Sequence, residues 1–142
     1  MGREEGDKLL NALLPFAQQM LTKHGEFHPF GAYQNSTDET NLLAAYDADE
    51  RPAAQTLIEM MVESLRKDAI EKGYQAVGIC FDVLVIPQGR TNKSDAIQMT
   101  IEYADGEAVN VYLPYKKKWL GKIQYGTTFA SSAESRVFKK PE

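Results

Sequence analysis

The sequence contains one cysteine, two histidines and no long hydrophobic run. Cys80 has no partner for a disulfide within the chain, and chains poor in cysteine are typical of a reducing compartment. No apolar stretch approaches the roughly 20 residues of a membrane-spanning helix. The N-terminus, MGREEGDKLL, is acidic where a secretory signal is basic. These absences predict a cytoplasmic protein that does not enter a membrane.

The sequence also lacks the common catalytic and nucleotide-binding signatures. It has no Gly-rich phosphate loop and no G-x-S-x-G nucleophile elbow, and its two histidines leave few candidates for a general base. Cys80 stands in an apolar run, where a thiol is expected to be a small buried side chain and not an activated nucleophile. The sequence therefore predicts no cofactor and no catalytic residue.

What is present is the composition of one folded domain. The 142 residues are 43% hydrophobic and 25% charged, as in an average globular protein. No internal repeat and no Pro/Gly-rich linker divides the chain. We predict a single α+β domain over residues 1–142, with the residues after about 130 loosely ordered because the hydrophobic pattern weakens there.

Apolar residues spaced three and four apart predict two amphipathic helices. The first covers residues 7–24, and Pro15 within it predicts either a kink or a start near Asn11. The second is predicted to have its N-terminal cap at Asp49, Pro52 in its first turn, and its end at Gly73.

Alternating apolar residues predict five strands, and the segment after Pro114 is open between a sixth short strand and a short helix. The first two strands form a hairpin, and Asp105-Gly106 is a strong signal for a second hairpin near the end of the chain. The predicted strands cover residues 27–33, 41–46, 74–86, 97–103 and 109–115. We expect the order α-β-β-α-β-β-β, a mostly antiparallel sheet, and both helices on one face of it.

The segment HGEFHPFGA contains two histidines four residues apart, the spacing found in H-E-x-x-H metalloproteases. Gly25 ends the helix between His24 and His28, and an extended chain would separate these histidines by about 13 Å. We therefore predict that the segment binds no metal. Instead, it forms a structural joint in which the first helix ends at or near Gly25 and either Phe27 or Phe30 is buried.

Polar and aromatic residues of the later strands are the candidates for a binding surface. Asp82 and Glu102 would form a carboxylate pair if they met on the polar face of the sheet. The segment YKKKWLGKIQY interleaves lysines with aromatic side chains, a pattern typical of single-stranded nucleic-acid sites and of protein-binding hot spots. Because the rest of the chain is acidic, we do not expect nucleic acid. The candidate binding residues are Asp82, Glu102, Tyr112, Tyr115, Lys117 and Trp119.

Charge separates the chain into an acidic body and a basic tail. Residues 1–114 carry 9 basic and 18 acidic side chains, whereas residues 115–142 carry 7 basic and 2 acidic ones. We predict a non-enzymatic binding module for a protein partner, or for self-association through the sheet face. The acidic body suits a basic partner, for example a toxin bound by an immunity-type inhibitor, and the basic tail suits an acidic one. The alternative is a small enzyme or ligand-binding protein that uses the carboxylates and tyrosines of the sheet face.

Four strings of the sequence, HGEFHPFGA, DAIQMTIEY, VYLPYKKK and YGTTFA, together resemble a small family of uncharacterised bacterial proteins. Members share a GEFxPFGA segment and a later YGxxFA segment, and the resemblance covers nearly the whole chain. It implies a bacterial cytosolic domain, and it implies no activity and no functional residue.

Overall fold

The structure is a computed structural model that describes residues 4–43, 54–87 and 89–138. This part of the chain forms two α-helices and seven strands, which confirms the α+β class and the predicted order as far as the fifth strand. The segment after residue 118 adds two short strands to the five, one more than the sixth strand expected as the alternative. The elements are α1 (Glu4–His24), β1 (Phe30–Gln34), β2 (Thr40–Leu43), α2 (Ala54–Lys72), β3 (Ala76–Val85), β4 (Ser94–Tyr103), β5 (Ala108–Lys117), a 3₁₀ turn (Trp119–Gly121), β6 (Ile123–Tyr125) and β7 (Phe129–Ser132).

The strands form one antiparallel sheet in the order β2-β1-β3-β4-β5-β6. One edge of β5 pairs with β4 along nearly all of its length. The other edge of β5 pairs with β7 near the start of β5 and with β6 near its end. β1 pairs with β3 only as far as Cys80, whereas β4 pairs with β3 as far as Val85. The second half of β3 therefore extends beyond β1 at one end of the sheet.

The two helices lie on opposite faces of this sheet. Leu13 of α1 packs in a cluster with Cys80, whereas Met61 of α2 packs in a separate cluster with Ile79. Ile79 and Cys80 are consecutive in β3, so their side chains point to opposite faces. The expectation that both helices cover one face is wrong, because β3 is apolar on both sides and each side needs cover. We call the two sides the α1 face and the α2 face.

The joint predicted at HGEFHPFGA is confirmed. α1 ends at His24, and Gly25 follows with φ +73° while its N–H donates to the Leu21 carbonyl over 2.8 Å. Only glycine adopts this left-handed conformation without steric cost. The side chains of Phe27 and Phe30 are both buried. The aromatic pair therefore fixes the chain against the core where the helix gives way to β1.

Of the other local predictions, the end of α2 at Gly73 and the turn at Gly106 are confirmed, whereas a start of the first helix near Asn11 is wrong. Pro15 lies inside α1, which begins well before Asn11. α2 ends before Gly73, which has φ +66°, and Gly106 makes the predicted turn between β4 and β5 with φ +97°. The predicted cap at Asp49, the early Pro52 and the end of the second predicted strand at 44–46 lie outside the described residues.

A close approach of backbones makes Gly31 sensitive to substitution. A Cβ atom there would lie 2.9 Å from the Gly78 carbonyl oxygen and 3.0 Å from Met61 Sδ. We expect Gly31→Ala to lower the free energy of unfolding by about 1–3 kcal/mol through overpacking, as measured by chemical denaturation. The matched control is Gly126→Ala, whose Cβ would lie 3.5 Å from its nearest neighbour in Pro114. Equal stability of the two variants would show that β1 and β3 are not packed as described.

Candidate functional site

Three of the six predicted binding residues meet on the α1 face, at the end of the sheet where β3 and β5 finish. The strand register places Asp95 opposite Tyr115 and Asp82 opposite Ile97. By the alternation of side chains, Asp82, Asp95, Tyr115 and Lys117 all point to this face. The C-terminal end of α1 is adjacent, because a Cβ on Gly25 would lie 3.9 Å from Lys117 Nζ.

A hydrogen bond joins the two central members of this group. Tyr115 Oη donates to Asp82 Oδ1 over 2.8 Å. Partial burial raises the pKa of Asp82, and the charge of Asp95 raises it further, while the Tyr115 bond and the charge of Lys117 oppose the rise. Burial, followed by the hydrogen bond to the Asp82 carboxylate, raises the pKa of Tyr115 strongly. The phenol therefore remains protonated and serves as a permanent donor to Asp82.

The raised pKa of Asp82 predicts a dependence of stability on pH. The folded protein holds this proton more tightly than the unfolded chain, so stability falls as pH rises above the ordinary Asp pKa of about 4. Asp82→Asn removes the charge and keeps an oxygen that accepts from Tyr115. We expect the variant to be more stable than the wild type at pH 7 and the difference to shrink toward pH 3, in urea denaturation at both pH values. A variant less stable at pH 7, with the deficit vanishing at pH 3, would reverse the sign of this interaction.

Beyond β5, a hairpin tip holds two large apolar side chains in solvent. Trp119 and Leu120 are 83% and 85% exposed. The Lys118 N–H donates to the Lys122 carbonyl over 2.7 Å, closing the hairpin around them. Leu120 has φ 60°, a left-handed conformation that bulky residues adopt only where the surrounding structure imposes it. The tip is therefore a defined turn and not a frayed end.

Two more apolar side chains are exposed at this end of the sheet. Leu84, in the part of β3 that extends beyond β1, is 65% exposed, and Ile86, directly after β3, is 56% exposed. Sequence reasoning missed them because their exposure depends on how far β1 pairs along β3. We define the tip surface by its four exposed apolar residues and the three lysines of the hairpin: Leu84, Ile86, Lys117, Lys118, Trp119, Leu120 and Lys122.

Glu102 and Tyr112 lie on the α2 face, away from the tip surface. Glu102 is opposite Val77 in the register and is 1% exposed, whereas Asp82 points to the α1 face. The predicted pair of carboxylates is therefore not formed. Tyr112 stacks on Phe129 with ring centroids 4.8 Å apart, which makes it part of the packing between β5 and β7.

The Glu102 carboxylate instead anchors the C-terminal segment. Its Oε1 atom accepts four hydrogen bonds, from Ser135 Oγ and from the backbone N–H groups of Arg136, Val137 and Phe138, at 2.8–3.3 Å. Arg66 Nε of α2 donates to the Arg136 carbonyl over 3.1 Å. Val137 is buried against α2 and β3. Sequence reasoning missed this role because the segment has no periodic pattern and lies more than 30 residues from Glu102.

The single cysteine and the possible metal ligands are the remaining candidates of the sequence. Cys80 is buried, as expected for a small apolar side chain, and this burial raises the pKa of its thiol. Within residues 4–43, 54–87 and 89–138, no three His, Cys, Asp or Glu side chains are grouped so as to hold a metal ion. In the same ranges, neither helix has the length and apolar character needed to cross a membrane.

Comparison with known proteins yields no relative. No protein-family model, no curated protein and no solved structure matches the chain. The resemblance to the GEFxPFGA family therefore stays a prediction from the sequence.

Proposed function

We propose that the chain is a non-enzymatic module that binds an acidic region of a protein partner through the tip surface. The observation that carries the proposal is the exposure of Trp119 and Leu120 on a hairpin tip of defined conformation. An aromatic side chain buries about 150–250 Å² when a partner covers it. Trp is also one of the residue types enriched among binding hot spots. Exposed apolar residues rimmed by charges are typical of protein interfaces.

The charge at this end of the sheet supports an acidic partner. Lys117, Lys118 and Lys122 flank Trp119 and Leu120 in the same hairpin, although the whole chain has a net charge of −4. Two acidic residues, Asp82 and Asp95, lie on the α1 face at this end of the sheet, and the Asp82 carboxylate already accepts a bond from Tyr115. The three lysines outnumber them. Complementary charge raises the rate of association and suppresses wrong partners. The partner is therefore expected to present Asp and Glu side chains to the tip.

An immunity-type inhibitor of a basic toxin would need a different surface. On the α2 side, Glu59, Glu63 and Glu134 line an open groove of about 450 Å³, together with Arg66 and Arg136. A basic partner would be attracted there and not to the lysine-rich tip. This second candidate gains support if the captured partner is basic and if substitution of Trp119 and Leu120 does not change its dissociation constant.

The binding module is also better supported than the enzyme alternative. That alternative relied on Asp82 and Glu102 converging in one pocket, and these two carboxylates point to opposite faces. The Glu102 oxygen that accepts the C-terminal donors is buried and engaged with them. Turnover of a metabolite dependent on Asp82 would restore the enzyme alternative.

Substitution of the tip tests the proposed function. Trp119→Ala/Leu120→Ala should raise the dissociation constant for the partner at least about 30-fold, since a hot-spot residue contributes about 2 kcal/mol or more. Its stability should stay within about 0.5 kcal/mol of wild type, because both side chains are exposed. The measurement is capture of a stoichiometric partner from a cell lysate with the tagged full chain, followed by titration of the identified partner.

The matched control is Ile70→Ala, which removes an apolar side chain that is 82% exposed on α2. This variant should bind as the wild type does. A partner that binds the tip variant and the wild type equally would exclude the tip surface as the interface.

A further inference from the structure

A second concave region opens at the same end of the sheet, bordered by two loops. Its walls are the β3–β4 loop at 89–93 and the β6–β7 turn at 126–128. Two adjoining cavities of about 430 and 460 Å³ share Arg90, Ser94, Tyr115 and Lys116. We call this region the loop groove. Its size falls within the range of small-molecule sites.

Most strand residues that line the loop groove point to the α2 face, and none of the lining residues belongs to the tip surface. Lys116 lies opposite Gln124 and Pro114 lies opposite Ala96 in the register. These residues alternate with Tyr115 and Lys117, whose side chains point to the α1 face. The groove and the tip surface are therefore separate surfaces on neighbouring residues.

The groove is lined by positive charge that the fold leaves unneutralised. Arg90, Lys93 and Lys116 line it, and in the described part of the chain none of the three forms an ion pair. Asp95 is the one acidic residue in the lining, and its side chain points to the α1 face beside Tyr115. Three cations around one cavity attract an anion more strongly than scattered surface lysines do.

The remaining lining adds hydrogen-bond donors and an apolar wall. Thr127 and Thr128 supply hydroxyl groups, and Gln124 supplies an amide. The Ser94 hydroxyl also lines the groove and donates to the Asp95 carbonyl over 2.9 Å. Phe129 lines the groove and is held in place by stacking on Tyr112 at 4.8 Å. Convergent polar groups beside a fixed aromatic ring are the usual composition of a ligand site.

We infer that the loop groove binds a small anion with several negative charges, carried by phosphate or carboxylate groups. Arg90 is the principal ligand, because a guanidinium makes paired hydrogen bonds with either group. Lys93 and Lys116 add charge, and the threonine hydroxyls of the β6–β7 turn donate to the remaining oxygens. The inference does not depend on the proposed protein binding, since it uses residues outside the tip surface.

The test is an NMR titration of the ¹⁵N-labelled full chain at constant ionic strength. Pyrophosphate and citrate are the two probes, and they distinguish a phosphate site from a carboxylate site. We expect saturable shifts of the amide signals of residues 89–94, 116 and 126–128 with at least one probe. Arg90→Ala should raise its dissociation constant about tenfold, the effect of one lost charged interaction, and Arg90→Lys should recover part of the affinity.

Lys67→Ala is the matched control, because it removes the same charge from an exposed position on α2. It should leave the dissociation constant within about twofold of wild type. The inference is overturned if neither probe gives saturable shifts, if Lys67→Ala weakens binding as much as Arg90→Ala, or if the shifts centre on residues 117–122. Since the groove variants retain the tip surface, they should still bind the protein partner, so the two proposals fail separately.

Discussion

Glu102→Ala should destabilise the protein by about 3–5 kcal/mol, because it leaves several donors of the C-terminal segment without an acceptor in a buried site. Three of the four donors are backbone N–H groups, and Val137 among them is 3% exposed. The segment should then separate from α2 and β3. We expect a lower midpoint in chemical denaturation and faster tryptic cleavage after Arg136 under native conditions.

Two control variants identify the cause of the stability loss expected for Glu102→Ala. Glu102→Gln keeps an oxygen acceptor without the charge and should lose about half as much stability, since charged hydrogen bonds are about twice as strong as neutral ones. Glu134→Ala removes an exposed carboxylate from the same segment and should change stability by less than about 0.5 kcal/mol. If Glu102→Ala and Glu134→Ala behaved alike, Glu102 would not anchor the segment.

Phe30→Ala should cost roughly 3–5 kcal/mol, the range for truncating a buried aromatic side chain. Phe30 is 5% exposed, and its ring meets Phe16 edge-on at 4.8 Å and Phe27 at 6.0 Å. The truncation therefore removes the centre of the contact between α1, the joint and β1. The free energy of unfolding measured in urea is the readout.

Further variants in and near this joint distinguish a packing role from a metal-binding role. Phe16→Ala should cost clearly less than Phe30→Ala, because Phe16 is 38% exposed. His24→Ala and His28→Ala should leave the metal content of the purified protein unchanged. Stoichiometric zinc that disappears on either histidine substitution would make HGEFHPFGA a metal site and overturn its role as a joint.

The local sequence pattern predicted the helices and strands well, but it did not predict that the two helices lie on opposite faces of the sheet. The stripes of α1 and α2, the glycine at position 25 and the Asp105-Gly106 turn each depend on neighbours in the sequence. The placement of α2 depends on the opposite side of β3, where Val77 and Ile79 form a second apolar face beside Gly78 and Cys80. Continuous apolar character over Ala76–Cys80 is itself a signal for a strand covered on both faces.

The candidate site was predictable only where its residues are close in sequence. Lys117 and Trp119 were candidates because their segment interleaves lysines with aromatic side chains, whereas the hairpin that holds them was not predicted. The sequence suggested that Asp82 and Glu102 meet, because both are polar residues of neighbouring strands. The face to which each side chain points depends on the register between β3 and β4, which the sequence leaves open. The exposure of Leu84 likewise depends on where β1 stops.

Hydrogen–deuterium exchange of the full chain, with and without its captured partner, tests the proposed interface most directly. Binding through the tip surface predicts slower exchange at 117–122 and at 84–86, and little change in exchange on the exposed side of α2. It also predicts that the fluorescence of the single tryptophan, Trp119, is quenched or shifted in the complex. Protection confined to α2 and the segment after residue 134, with exchange at 117–122 and the Trp119 emission unchanged, would contradict the proposal and move the interface to the acidic side of the molecule.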